Sequence, residues 1–232
     1  MIGPQLPLSV QLPDAPGFDS YFAGPNGDTV AALGQLAEGA AQASILLHGA
    51  AGSGKTHLLQ AVARAATRAR RRTAYLPLRS LAPAALQGFE TMDVLSLDDI
   101  DAVLQDRSWS LVLLRLIDAV HARGGRCVLS ALAPPEGLPL APLPDLRTRL
   151  AACAVFGLKP LTDRDLGGLL QLRAHQRGLE LPPESAELLL SRLRRDVPSL
   201  IAALDWLDRA SLSAGRRLNP PFVRSVLPAL VQ

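Results

Sequence analysis

A chain of 232 residues, 48% of them hydrophobic, has ample material for one α/β domain and a smaller appendage. No apolar run is long enough to span a membrane, and Met1-Ile2-Gly3-Pro4 lacks the basic start and apolar core of a secretion signal, so a cytoplasmic protein is expected. The net charge of +3 does not by itself call for nucleic acid, and Cys127 and Cys153, in apolar surroundings without metal-type spacing, read as buried thiols of a reducing compartment.

Residues 1 to about 28 are rich in proline and glycine and predict an extended chain. Phe18, Tyr21 and Phe22, with Gly24-Pro25-Asn26 behind them, are expected to pack on the edge of a sheet. Asp28 to Glu38 carries helical spacing. An apolar strand at 43–48 then runs into Gly49-Ala50-Ala51-Gly52-Ser53-Gly54-Lys55-Thr56, and a helical pattern continues to about Arg70.

Strand, glycine-rich loop and helix in that order form a phosphate-binding loop. The glycines, Gly49, Gly52 and Gly54 with Ser53 between them, let successive amides turn toward one anion. The helix N-terminus adds partial positive charge. Lys55 reaches the β- and γ-phosphates, and the Thr56 hydroxyl ligates magnesium. A nucleotide, ADP or ATP with Mg2+, is therefore expected, with Asn26 near its base. The chain holds only two lysines, Lys55 and Lys159, among many arginines. A lysine kept at 55 fits the need for a compact ammonium there. Arg68 and Arg70-Arg71-Arg72 complement the dipole at the end of the loop helix and read as a solvated cluster.

A second strand is expected at 73–78, and a third in Met92-Asp93-Val94-Leu95-Ser96-Leu97-Asp98-Asp99-Ile100. A strand ending in two carboxylates some forty residues after a phosphate loop suits magnesium-nucleotide chemistry. Asp98 would hold the ion through water, and Asp99 would orient or deprotonate the attacking water. A helix from about Trp109 to Arg123, a strand at 126–132, the segment Leu143 to Leu150 and a last strand near 154–158 complete the α/β part. After Pro160 four helical patterns follow without strands, at 163–177, 183–195, 198–214 and 220–230. Thr162 and Asp165 resemble a capping box, and Asn219-Pro220 marks a helix start.

Gly54-Lys55-Thr56-His57-Leu58-Leu59, Leu97-Asp98-Asp99-Ile100 and the Phe18 to Asn26 segment resemble the DnaA group of AAA+ nucleotide hydrolases. Leu143-Pro144-Asp145-Leu146, Leu172-Arg173-Ala174, Leu207 to Ser211 and Pro221-Phe222-Val223 are similar to Hda-type regulators within that group. The resemblance implies an AAA+ parallel sheet over residues 12–160 and a helical lid over 161–232. It also implies that Gln5, Leu6, Leu8 and Val10, within residues 1–11, are a peptide that docks on the DNA polymerase sliding clamp. The function implied is negative regulation of replication initiation, with the initiator DnaA and the clamp as partners. Assembly with further copies is compatible with it. Sequence-specific DNA binding is not expected, since the initiator's helix-turn-helix domain has no counterpart here, nor is membrane association. Arg149 matches the arginine by which such proteins enter a neighbour's nucleotide site. Two positions depart from the pattern. Leu132 stands at the sensor loop after the fourth strand, and Pro198 replaces the lid arginine, with Arg194 and Arg195 a turn earlier. Weak intrinsic hydrolysis follows from both, and a motor or helicase loader is the alternative that a competent site would favour.

Overall fold

The computed structural model describes residues 16–139 and 143–230. The clamp-docking peptide expected at Gln5, Leu6, Leu8 and Val10 lies outside them. Five parallel strands form one sheet: β1 (Ile45–His48), β2 (Thr73–Pro77), β3 (Val94–Asp98), β4 (Arg126–Ala131) and β5 (Ala154–Gly157), in the order β2-β3-β4-β1-β5. The register runs Thr73 opposite Val94, Val94 opposite Arg126, Ile45 opposite Val128, and Ile45 opposite Ala154. Strands β3 and β4 are buried almost throughout, which explains why they read as continuous apolar runs.

Helices α1 (Gly27–Glu38) and α2 (Lys55–Arg68) cover one face of the sheet, burying Leu33, Leu36, Leu58, Leu59 and Val62 against Leu47 and Val128. Helices α3 (Arg107–Ala122) and α4 (Pro144–Ala151) lie over a second cluster built from Leu95, Leu97, Leu113, Ile117 and Leu129. Beyond the sheet, α5 (Asp163–Gln176), α6 (Pro183–Arg192), α7 (Val197–Ala214) and α8 (Pro220–Leu230) enclose a third core of Leu170, Leu189, Leu200, Leu207 and Phe222. Among the described residues no helix is long and apolar enough to cross a membrane.

The helical part starts as the spacing predicts. Thr162 Oγ1 accepts from the Asp165 amide at 3.3 Å, and Asp165 accepts in return from the Thr162 amide at 2.9 Å. Asn219 Oδ1 caps α8 by accepting from Phe222 N–H at 3.0 Å.

The segment before α1 departs from the expected extended chain and sheet-edge packing. It makes two short 3-10 turns, Phe18–Ser20 and Gly24–Asn26, and bridges the two parts of the molecule. Phe18 and Tyr21 pack with the α1/α2 core, whereas Phe22 packs into the helical core. His57 Nε2 donates to Gly17 O at 2.9 Å, and Gln176 Nε2 of α5 donates to Asp19 O at 2.8 Å. The carbonyls of this turn are thus held by α2 on one side and by α5 on the other. Cys127 is buried as expected, but Cys153 is only partly so.

Asn26 closes this bridge. Its carboxamide accepts from Lys159 N–H at 2.8 Å and donates to Lys159 O at 3.0 Å, fixing the chain between β5 and α5. Two hydrogen bonds from a side chain only 3% exposed contribute about 1–2 kcal/mol net. Asn26→Ala is therefore expected to lower stability by about that amount. Urea denaturation followed by circular dichroism measures it, and an unchanged midpoint would remove the latch.

Candidate nucleotide-binding site

β1 hands the chain to a loop in which Gly52 (φ 77°) and Gly54 (φ 93°) take left-handed backbone. A side chain at 54 would also meet the Tyr21 ring at 2.8 Å, so glycine is required there twice over. α2 begins at Lys55 with no side-chain cap. Leu58 is the first amide to reach back, to Gly54 O at 3.0 Å, which leaves the amides of the first turn for a ligand. Ser53 Oγ is buried without a hydrogen-bond partner inside the same loop. An unpartnered donor beside an uncapped helix N-terminus fits an anion.

Lys55 is 6% exposed, and its Nζ donates to Gly49 O at 2.7 Å and Ala50 O at 2.9 Å. Burial lowers its pKa, while the carboxylates of Asp99, Asp101 and Asp98 work the other way. On one side of the loop lies a cavity of about 620 Å3, bounded by Tyr21, Phe22, His57, Leu161 and Leu169. Apolar walls and that size suit a small organic group. Burial pushes the pKa of His57 down against the pull of the Gly17 carbonyl, so the ring is neutral at physiological pH. Asn26, expected near the base, does not line this cavity. Its amide is committed to Lys159.

On the other side a cleft of about 690 Å3 is bounded by Lys55, Thr56, Arg79, Asp99, Leu132 and Pro198. Asp98, at the end of β3, is 3% exposed. It accepts from the Ser130 hydroxyl and, at 2.7 Å, from Tyr75 Oη. Both its oxygens are thus engaged, and a metal ion would meet it through water, with Thr56 and phosphate oxygens nearer. Among the described residues no cluster of three acidic, histidine or cysteine side chains forms a metal site by itself. Burial, then Asp98, pushes the Tyr75 phenol up, so it stays a donor.

Asp99 adopts left-handed backbone (φ 57°), which turns its carboxylate out of the strand toward the cleft. Its amide donates to Ser130 Oγ at 2.9 Å, and its Oδ2 accepts from Arg79 Nε at 3.3 Å. Sequence reasoning missed Ser130, Tyr75 and Arg79. Ser130 had left one trace, a single hydroxyl inside the apolar run 127–132. The two departures from the family pattern both face the phosphate side. Leu132 is 51% exposed at the rim, and Pro198 of the helical part lies 3.7 Å from the position of a Cβ on Gly52. Of the two neighbouring basic residues, Arg195 lines the apolar cavity and pairs with Asp163 at 2.6 Å. Arg194 pairs with Asp196 at the surface.

Arg149 sits elsewhere. It lies in the last turn of α4, and its Nε pairs with Asp118 Oδ1 at 2.5 Å, both side chains being over 40% exposed. The cleft around it, about 690 Å3, is formed with Ser44, His121, Arg126 and Cys153. Ser44 precedes β1 and Arg126 opens β4, so this cleft lies at the N-terminal ends of the strands. The phosphate loop and Asp99 lie at the C-terminal ends.

Residues 12–158 match the model of the bacterial DnaA ATPase domain, and residues 163–227 match the lid domain of Hda. Domain III of the Thermotoga maritima replication initiation protein DnaA superposes with a TM-score of 0.76 at 20% identity, covering 95% of this chain and 98% of that one. AMPPCP-bound DnaA from Aquifex aeolicus gives 0.72 at 19% identity, over 85% of this chain and 65% of the other. The Thermotoga maritima RuvB Holliday junction branch migration motor gives 0.66 at 20%, over 91% and 73%. The chain thus spans about two-thirds of the longer DnaA chains that it matches. With five parallel strands, a phosphate loop and a four-helix lid, it belongs to the DnaA family of AAA+ proteins, with a lid of the Hda type.

Proposed function

We propose that this protein is a negative regulator of replication initiation. Holding ADP or ATP with Mg2+ in its own site, it docks on the DNA polymerase sliding clamp and supplies Arg149 to the nucleotide site of a neighbouring initiator, DnaA, whose ATP is then hydrolysed. The position of Arg149 carries the proposal. It stands at the opposite end of the sheet from Lys55 and Asp99, where it serves no phosphate of its own chain. Its ion pair with Asp118 is exposed on both sides, and such pairs contribute little. A partner's phosphate oxygens would therefore displace Asp118 at little cost, and the guanidinium offers them paired donors.

The protein's own site is assigned to binding more than to turnover. The loop amides, Ser53, Lys55 and Thr56 would hold the phosphates, with the base in the apolar cavity beside Tyr21 and His57. Magnesium, when bound, would neutralise charge on the phosphates. Thr56 and, through water, Asp98 would hold it. Asp99 would orient the attacking water, but its carboxylate is shared with Arg79. Leu132 and Pro198 present no donor where charge develops in phosphoryl transfer. Adenine nucleotide is supported by the AMPPCP-bound DnaA to which the chain is similar. Clamp docking is supported by the resemblance of Gln5, Leu6, Leu8 and Val10 to a clamp-binding peptide.

Lys55→Ala is expected to abolish ADP binding measured by calorimetry, since Lys55 is the cationic side chain of the loop. Wild-type affinity in that variant would sink the assignment. Arg149→Ala is expected to keep ADP affinity and fold while losing stimulation of DnaA-bound ATP hydrolysis, for which trans arginines contribute roughly 10³–10⁵-fold. The assay combines DnaA-ATP, clamp loaded on DNA and each variant. Arg147→Ala, on the same exposed helix, is the control and should lose little. Full stimulation by the Arg149 variant would overturn the trans-arginine role.

A further inference from the structure

The basic run that closes α2 is not isolated in three dimensions. The Asp93 amide donates to Arg72 O at 2.8 Å, and the Arg126 amide donates to Asp93 O at 3.0 Å, so these residues lie side by side at the starts of β2, β3 and β4. Arg126 Nε reaches on to Gln42 O, ahead of β1, at 2.9 Å. Arg68 and Arg70 flank Arg72 at the end of α2, and Arg123 sits in the turn leading to β4. Five arginines thus line the N-terminal ends of adjacent strands, of which Arg126 is half-buried and donates to the carbonyls of Gln42, Gly124 and Gly125. Asp93 is the carboxylate within the row, and it is engaged by Arg72 at 2.9 Å. Arg68, Arg70 and Arg123 are exposed and form no ion pair among the described residues. Strands repeat at about 4.8 Å, so the row from β2 to β4 is roughly 10 Å long.

Arg70 adds an independent observation. Its φ of 58° is left-handed, a conformation that glycine or asparagine would adopt more easily. The turn leaves the Arg70 side chain exposed just beyond the end of α2. The row is brought close to the chain body by Arg71, which donates to Leu36 O at 3.1 Å and so anchors the turn.

We infer that this row binds the phosphate backbone of duplex DNA without reading its sequence. A duplex carries one charge per ~1.7 Å of axis with both strands counted, so roughly six phosphates, distributed around the helix, lie within the length of this row. The exposed large hydrophobic side chains among the described residues are Leu132, Val155 and Leu212, none of them in the row. A protein partner would call for an apolar centre, and a single strand for aromatic stacking platforms. Among the described residues the row has neither. It is also at the far end of the sheet from the phosphate loop, so DNA and nucleotide would be bound together.

The test is fluorescence anisotropy of a labelled 20-base-pair duplex against the full chain over a salt series, with ADP present. The expected wild-type result is binding that weakens steeply with salt. The variant Arg68→Gln/Arg70→Gln/Arg123→Gln keeps side-chain length and should bind about tenfold more weakly or worse at low salt. Its log–log salt slope should flatten by about 0.9 for each phosphate that the variant no longer neutralises. Unchanged ADP affinity and melting curve would establish that the triple variant is folded. Equal duplex binding by wild type and variant, or none by wild type, would overturn the proposal. So would tighter binding of single-stranded DNA. Tighter binding of a polyglutamate of equal charge would overturn it in favour of an acidic protein surface.

Discussion

All five strands run the same way, and that constraint divides the chemistry of the molecule. In a parallel sheet every strand ends on one side and begins on the other. The phosphate loop after β1, the Asp98-Asp99 pair after β3 and Leu132 after β4 therefore gather at one edge. Arg72, Asp93, Arg126 and Ser44, which precede or open their strands, gather at the opposite edge with Arg149. Strands of four to six residues separate the two edges by roughly 13–20 Å. No rotamer of Arg149 bridges that gap. Its partners must come from outside its own nucleotide site, whatever they are.

Within the nucleotide edge, Ser130 sets the geometry of two consecutive acids. Its hydroxyl donates to Asp98 and accepts from the amide of Asp99, so one side chain fixes both a buried carboxylate and a left-handed turn. Tyr75 on β2 supplies the other oxygen of Asp98 with a donor at 2.7 Å. The turn at Asp99 is strained, and the hydrogen bond to Ser130 helps offset that strain. The two acids therefore differ by environment alone. One is sealed and structural toward an ion, and the other is turned out toward the cleft beside Arg79.

The parts of this site that sequence reveals are the parts built from neighbouring residues. The loop from Gly49 to Thr56, the acids after β3 and the Thr162–Asp165 capping box are all local, and each stands where the pattern puts it. What sequence conceals depends on pairs far apart in the chain. Asn26 meets Lys159 across 133 residues, Ser130 meets Asp98 across 32, and Arg79 meets Asp99 across 20. Phe18, Tyr21 and Phe22 read as one aromatic cluster, yet they divide between two cores, because the chain turns twice within nine residues. α4 left little periodic trace, since it is eight residues long and buries only Leu146 and Leu150.

The helical part bears on the phosphate loop in an unusual way. The N-terminus of α7 points its first turn at the loop, and such a terminus would ordinarily attract phosphate. Here Asp196 already caps it, accepting from Ser199 N–H at 2.9 Å, and that contact holds the Asp196 carboxyl below the usual range. The next positions, Val197 and Pro198, offer the loop methyl and methylene groups, and proline has no amide proton to give. Arg195 stands just outside, on the cavity side, tied to Asp163 by an exposed pair. The lid therefore meets the loop through apolar contact with Gly52 and places its cation toward the cavity of Tyr21 and His57. Apolar contact does not vary with the number of phosphates, whereas a charged lid residue would respond to each one. In this chain the lid meets the core through those apolar contacts, while the Asn26 hydrogen bonds to Lys159 fix the segment that joins them.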